Sequence, residues 1–360
     1  MRFNRIDRII LFGGAPLLAR SAEALADDGY ELFVFTSPRH AHEAVTPDGR
    51  RLEEVLASLG TPYWVTDDIN GEKALPGLIS SSTLGLGMGE AWSFGRELID
   101  AFEGQLVDVM GIPLPRYRGG AHYSWMILAG ERRMACNIQL INEEMAQAFH
   151  DSAAIVHRRE YELGPGVRVP QDYFDAAVPA ELEFIREFLA LIEEGWEFEL
   201  RFLDERQSLL FPRLKTAIHG WIDWSWSGEL IERFICAFDR PYPGAGTFLS
   251  DRAVRLREAR LVNGERLHPF QSGLVVRVNE DEGVVVATTS GLLAIRDVRS
   301  EEGEGTPAIV HGMRFTTPRE VLERALREDV RYASTGVVPA AFSSNNGSGQ
   351  DARDRTAAGG

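Results

Sequence analysis

Asp108 and Met110 sit two residues apart at the end of an apolar run, inside the stretch VDVMGIPLPRYRGGAHYSW. On a strand, residues two apart share a face, and loops that leave strand ends often carry chemistry. A carboxyl group there exchanges protons; a thioether does not. Arg116 and Arg118 flank Tyr117 and precede Gly119 and Gly120. A basic pair beside a glycine turn that opens a helix suits an anionic substrate group. The plainer reading is two solvated arginines paired with surface acids. His150 and Asp151 adjoin just before another apolar run. Such a couple can move protons, or the imidazole is an ordinary surface side chain. In SSSTLGLGMGEAW, Gly85, Gly87 and Gly89 leave backbone groups open to a flat heteroaromatic ligand. The alternative is a plain loop between a strand and a helix.

These residues need a frame to position them. Asp7 to Gly13 is an apolar run ending in glycine, followed by a helix-like segment over Pro16 to Ala26 and a second run over Tyr30 to Thr36. A strand–helix–strand unit of this kind predicts a doubly wound parallel sheet. Tyr63 to Thr66, Gly77 to Ser81 and Leu106 to Val109 are read as further strands, with helices over Phe94 to Phe102 and Tyr123 to Ala129. Ala135 to Ile141 and Ala154 to Tyr161 are read as later strands. Helical spacing marks Pro179 to Glu194 and Glu229 to Phe238. Ser227 is placed to cap the latter helix. Trp221, Trp224 and Trp226 are read as locking a seam between domains. Gly13 and Gly14 lack both the G-x-G-x-x-G spacing and a P-loop lysine, so they read as a tight strand-to-helix turn.

From Gly246 short strands separated by Gly and Asn turns suggest a small antiparallel barrel. The expected division is a Rossmann-like domain over 1–215, a linker helix and barrel over 216–330, and a disordered tail over 335–360. The formal net charge of −16 argues against nonspecific nucleic-acid or membrane-surface binding. No apolar run is long enough to span a bilayer. Two cysteines, Cys136 and Cys236, make no disulfide framework, which points to a reducing, cytoplasmic setting. No metal site is expected.

VDVMGIPLPRYRGGAHYSWMILAGE resembles the signature of the 10-formyltetrahydrofolate-dependent formyltransferases. STLGLGMGEAWSFGRELIDAF resembles the folate loop and helix that precede it, and IDWSWSGELIERFICAFDRPYPGAGTFL is similar to the bridge into the family's C-terminal barrel. RLHPFQSG and VHGMRFTTP look most like the branch that formylates amino sugars and other small amines. The resemblance implies an α/β fold: a Rossmann-like domain joined to an OB-like barrel. It implies 10-formyltetrahydrofolate as cosubstrate, with Leu86, Gly87, Met88, Gly89, Trp92 and Asn142 toward the folate and Arg116, Arg118, Gly119 and Gly120 toward the amine. It makes tRNA an unlikely substrate and leaves a homodimer open.

The family works with an Asn, a His and an Asp. The Asn position falls on Asp108 and the His position on Met110. Counted straight through from QLINEE, the Asp position falls on Ala146; anchored on IVHRREY it falls on Asp151, a register that keeps both the acid and the following strand. An ionised Asp108 donates no hydrogen bond to the oxyanion that forms on the formyl oxygen, whereas a protonated one does. His150 or His122 would have to replace the lost imidazole, with Asp151 orienting or deprotonating the amine. Two functions follow: formyl transfer to a small, amino-sugar-like amine with altered or weakened catalysis, or a catalytically inactive binding or regulatory protein. A formyl-folate hydrolase would need the same triad.

Overall fold

The structure, a computed structural model, describes residues 1–89, 91–142, 153–264, 266–301, 305, 307–333 and 336–339. In chain order the first part contains β1 (Arg8–Gly13), α1 (Ala15–Asp27), β2 (Glu31–Thr36), α2 (Pro38–Ala41), α3 (Leu52–Leu59), β3 (Tyr63–Val65), β4 (Thr83–Met88), α4 (Arg96–Ala101), β5 (Leu106–Met110), β6 (Arg118–Gly119), α5 (His122–Ala129), β7 (Arg133–Leu140), β8 (Ile155–Glu162), α6 (Pro170–Glu193), β9 (Leu210–Phe211), α7 (Thr216–His219) and α8 (Gly228–Ala237). The second part contains β10 (Ala245–Leu249), β11 (Arg252–Asn263), β12 (Val275–Asn279), β13 (Gly283–Thr288), β14 (Gly291–Ser300), β15 (Phe315–Thr316), α9 (Arg319–Arg327), β16 (Val330–Ala333) and β17 (Gly336–Pro339).

Seven strands form one sheet in the order β3-β2-β1-β4-β5-β7-β8. β3, β2, β1, β4 and β5 run parallel; β7 and β8 turn antiparallel at the edge. The strand order reverses between β1 and β4, and in open α/β sheets ligands bind outside the carboxyl ends of the strands at such a switch point. That rule points to Gly13, Met88 and Met110, the last residues of β1, β4 and β5.

The two faces of this sheet differ. Leu84, Leu86, Met88, Val107, Val109, Cys136 and Ile138 pack beneath α1 and α6 with Leu18, Phe184 and Phe188. Ile10, Phe12, Leu106 and Ile141 pack on the other face with Leu98 of α4 and Phe102 at its C-cap. The period of two along each strand therefore places Gly85, Gly87, Asp108, Met110, Asn137 and Gln139 on the α4 face.

The second sheet is antiparallel and curled, in the order β12-β13-β14-β11-β10-β15. It is a half-barrel; its edge segments meet at one isolated bridge, Leu274 with Arg314. The expected OB-like barrel is matched only to this level. A continuous core joins it to α5, α6 and α8. Two of the three tryptophans belong to that core, Trp224 stacked on Phe315 at 5.8 Å and Trp226 meeting Phe234 edge-on at 5.1 Å, while Trp221 stacks on Phe248 of β10 at 5.4 Å. Ser227 caps α8 by accepting from the Leu230 amide at 3.4 Å.

Three sequence expectations are corrected. Gly77 to Ser81 is no strand: Pro76–Leu78 forms a 3₁₀ turn, and the strand is the glycine-bearing Thr83–Met88. The helix expected from Pro179 begins at Pro170, because the Asp172 carboxylate accepts from the amides of Arg168 and Val169 and caps a turn further back. Within the tail expected to be disordered, Gly336–Pro339 pairs with Val330–Ala333; residues 340–360 lie outside the described chain.

No helix among the described residues is long and apolar enough to cross a membrane, and no cluster of His, Cys, Asp or Glu among them is arranged to hold a metal ion.

Candidate functional site

β4 reads as a loop in sequence because of its glycines, yet it lies buried at the sheet's centre. The glycines make room for side chains of β5 and α4. A Cβ on Gly85 would lie 2.5 Å from Leu106 Cδ1 and 2.9 Å from Phe102 Cε1; one on Gly87 would lie 2.5 Å from Asp108 Oδ1. Glycine inside a strand marks such close approach. Gly87→Ala is therefore expected to displace the Asp108 carboxylate and cost about 1–3 kcal/mol, the usual penalty of overpacking. Gly77→Ala, with open space around it, should stay within about 0.5 kcal/mol of the parent. Urea midpoints of the two variants check this.

At the carboxyl ends, Gly13 takes φ +116° and the Gly14 amide donates to the Met88 carbonyl at 2.9 Å. That is the tight turn read from the sequence, locked against the end of β4. Gly89, at φ +71°, packs its backbone against Gly14. The side chains of Leu86 and Met88 are spent in the core under α1, so any ligand contact from them falls to their backbone. Trp92 packs on the α4 face, and its buried indole N–H has no hydrogen-bond partner among the described residues. Asn142, just beyond β7, is the last described residue before 153.

Asp108 and Met110 are half-buried on the α4 face. Across the ladder Asp108 faces Gln139 and Met110 faces Asn137. Met110 packs toward an apolar group of Ile112, Leu114 and Ile155. The Asn137 amide donates to the carbonyls of Met110 and Ile112, each at 2.8 Å, and its Oδ1 accepts from Arg158 at 3.2 Å. Arg158 also donates to the Leu114 carbonyl at 2.8 Å and pairs with Glu160 at 2.7 Å. These bonds hold the turn after β5 in place. Gln139 is fully buried, and neither atom of its amide has a partner among the described residues.

The signature arginines are not equivalent. Arg118 is buried, bound through both terminal nitrogens to Glu205 and through one to Ser208 at 2.8 Å. Its guanidinium holds the Glu205 carboxyl below the usual range. The expected anion site therefore does not extend to Arg118, which is already neutralised by an internal acid. Arg116 is exposed, its guanidinium 6.0 Å from the Tyr117 ring centre. Gly119 pairs through its backbone with β9, and Gly120 packs against Arg213.

Of the imidazoles, His122 opens α5 with Nδ1 2.7 Å from the Tyr117 carbonyl. His150 and Asp151 lie outside the described residues. His40, which sequence reading passed over, is buried against Gly14 at the end of β1. Glu181 was also passed over. The residue is 5% exposed, and its carboxyl packs directly against Gly111, where any side chain would overlap it. Burial alone pushes its pKa up to about 7. Tyr123 and Tyr161 near it are raised as well, by burial first and by its charge second for Tyr123. Helical spacing marked the apolar face of α6 but could not show that Glu181 lies under a glycine.

Residues 215–308 match the family model described as "Formyl transferase, C-terminal domain". The methionyl-tRNA formyltransferase of Heliobacterium modesticaldum is 25% identical over 312 residues, covering 82% of this chain and 93% of that protein. That of Coxiella burnetii is 24% identical over 301 residues, covering 81% and 90%. Among solved structures, WlaRD, a sugar 3N-formyltransferase crystallised with dTDP and 5-N-formyl-THF, superposes with a TM-score of 0.59 at 13% identity, covering 84% of this chain and 100% of that one. HypX from Aquifex aeolicus, in complex with tetrahydrofolic acid, gives 0.53 at 19% identity, covering 88% and 47%. At these identities the structural likeness speaks for the fold alone. The methionyl-tRNA relatives leave the expectation that tRNA is excluded without support.

Proposed function

Because this chain belongs to the formyltransferase family, we propose that it takes a formyl group from 10-formyltetrahydrofolate and passes it to a small, amino-sugar-like amine, with catalysis weakened at two positions. The observation that carries this reading is the pair Asp108 and Met110 on one face at the end of β5, beside the sheet's switch point. Two buried polar groups without partners among the described residues, the Trp92 indole N–H and the Gln139 amide, lie on that same face. They suit a flat ligand with polar edges. A small amine is favoured over tRNA by the formal charge of −16, since nucleic acid binding draws on clustered cations.

In this reading Asp108 faces the formyl carbon. When protonated it donates to the oxygen on which charge develops; when ionised it accepts the amine's proton. Asp151 orients the amine, and His150 or His122 stands in for the imidazole that Met110 replaces. One observation favours the alternative of a catalytically inactive binding protein: Met110 packs toward Ile112, Leu114 and Ile155, an environment in which no proton is handled.

The test is tetrahydrofolate release from 10-formyltetrahydrofolate with a panel of nucleotide-linked amino sugars, simple amines and methionyl-tRNA. A small amine should accelerate release and methionyl-tRNA should not. Acceleration by methionyl-tRNA alone would overturn the substrate class. Release with no amine present would mark a hydrolase.

A further inference from the structure

Two amides stand two residues apart on β7, on the face shared with Asp108 and Met110, and they are used very differently. Asn137 is engaged at both ends, by the carbonyls of Met110 and Ile112 and by Arg158. Gln139 is fully buried with nitrogen and oxygen both unpaired among the described residues. A buried unpaired amide atom is destabilising, and folded proteins rarely keep two on one side chain. Sites that bind polar groups are where such atoms are retained. Gln139 sits directly across the ladder from Asp108, the position that holds the carboxamide in the family this chain resembles. Side chains opposite one another on adjacent strands lie about 5 Å apart at Cβ.

We propose that the Gln139 carboxamide is a catalytic residue of this chain, a hydrogen-bond donor to the formyl oxygen, so that the amide has crossed from β5 to β7 while a carboxylate occupies its former place. This rests on the formyl-transfer reading above. The amine nitrogen bonds to the formyl carbon as the carbonyl π pair moves to oxygen, and the Gln139 N–H group donates to that oxygen. The Gln139 carbonyl accepts an N–H of the attacking nitrogen. When the carbonyl re-forms, the bond to folate N10 breaks with its electron pair on N10. The proton lost by the amine ends on N10 through Asp108, whose carboxylate is placed to accept it. Asp108 and Gln139 together thus supply an acceptor and a donor, which one asparagine and one histidine supply elsewhere.

The test uses the full chain with a stable 10-formyl folate analogue carrying ¹³C in the formyl group, read by isotope-edited infrared difference spectroscopy of the bound carbonyl. Wild type should lower the formyl stretching frequency relative to the free analogue. Gln139→Met, similar in length but without polar atoms, should return it toward the free value while the analogue still binds. Gln139→Leu, smaller and likewise without polar atoms, should do the same should the Met variant fail to fold. In the amine-dependent assay Gln139→Met should lower kcat about 100-fold or more with KM for the folate little changed, as for loss of one oxyanion donor. Thermal melting should stay level or rise, because replacing an unpaired buried amide by an apolar group is neutral or favourable. A bound carbonyl whose frequency is the same in wild type and both variants overturns the role of Gln139 and leaves the formyl-transfer reading standing. Failure of wild type to bind the analogue overturns that reading and this inference with it.

Discussion

Asp108→Asn combined with Met110→His is expected to raise the rate of amine-dependent formyl transfer by about 100- to 1000-fold, the range associated with one positioned oxyanion donor. The introduced imidazole takes over the proton that Asp108 otherwise passes to N10, and asparagine adds a second donor beside Gln139 where charge develops. Ionised, Asp108 has acceptors only and repels a forming oxyanion; Met110 neither donates strongly nor moves protons. Asparagine keeps the outline of Asp108, and Gly87 leaves room for it by lacking the Cβ that would lie 2.5 Å from Asp108 Oδ1. Histidine is no longer than the methionine it replaces and remains half-buried at the strand end. Folate affinity should change far less than the rate. An unchanged rate with folate still bound would show that the deficit does not reside at the end of β5.

Glu181→Gln is expected to stabilise the protein above pH 7 by up to about 3 kcal/mol, and to leave stability near pH 4.5 unchanged. Burial raises the Glu181 pKa from 4.5 to about 7 in the folded chain. Between those values the folded state binds the proton and the unfolded state does not, so stability falls as pH rises through the window. Below 4.5 both states are protonated and the penalty vanishes. Above 7 it is fully present, and the gap corresponds to about 3 kcal/mol at roughly 1.4 kcal/mol per pH unit. Glutamine is neutral throughout and lacks this penalty. Urea denaturation of both proteins at pH 5 and pH 8 reads the effect. A variant less stable than wild type at pH 8 would mean that an ionised Glu181 is favourably held. Because Glu181 packs against Gly111, one residue beyond Met110, its ionisation also loads the turn that leaves β5.

The parts of this fold visible in sequence are those where local pattern and tertiary role agree. β1, β2 and β5 are apolar runs, and each emerged as a buried strand. Ser227 was readable as a cap because capping is local chemistry. β4 was misread as a loop for the opposite reason. Its glycines answer to Leu106, Phe102 and Asp108 on neighbouring elements, and no window along the chain contains that information. The same holds for the candidate site. Asp108 and Met110 share a face by strand periodicity alone, and that much was legible. Arg118 looked like an anion ligand until Glu205, 87 residues away, claimed it. Gln139 looked like one more residue of a strand, because whether a buried amide finds partners is decided across the sheet. Glu181 drew no notice within an amphipathic helix, and only the missing side chain of Gly111 lets it sink into the core.

The most direct measurement follows the formyl carbon itself. Wild-type protein is incubated with [¹³C-formyl]-10-formyltetrahydrofolate and an active amine from the panel, and the carbon's chemical shift is tracked by NMR. A site of the proposed kind moves the label slowly from folate to the N-formyl amide of the product, in amounts set by the amine. A label that stays on folate at saturating protein, or appears as formate whether or not amine is present, would contradict it.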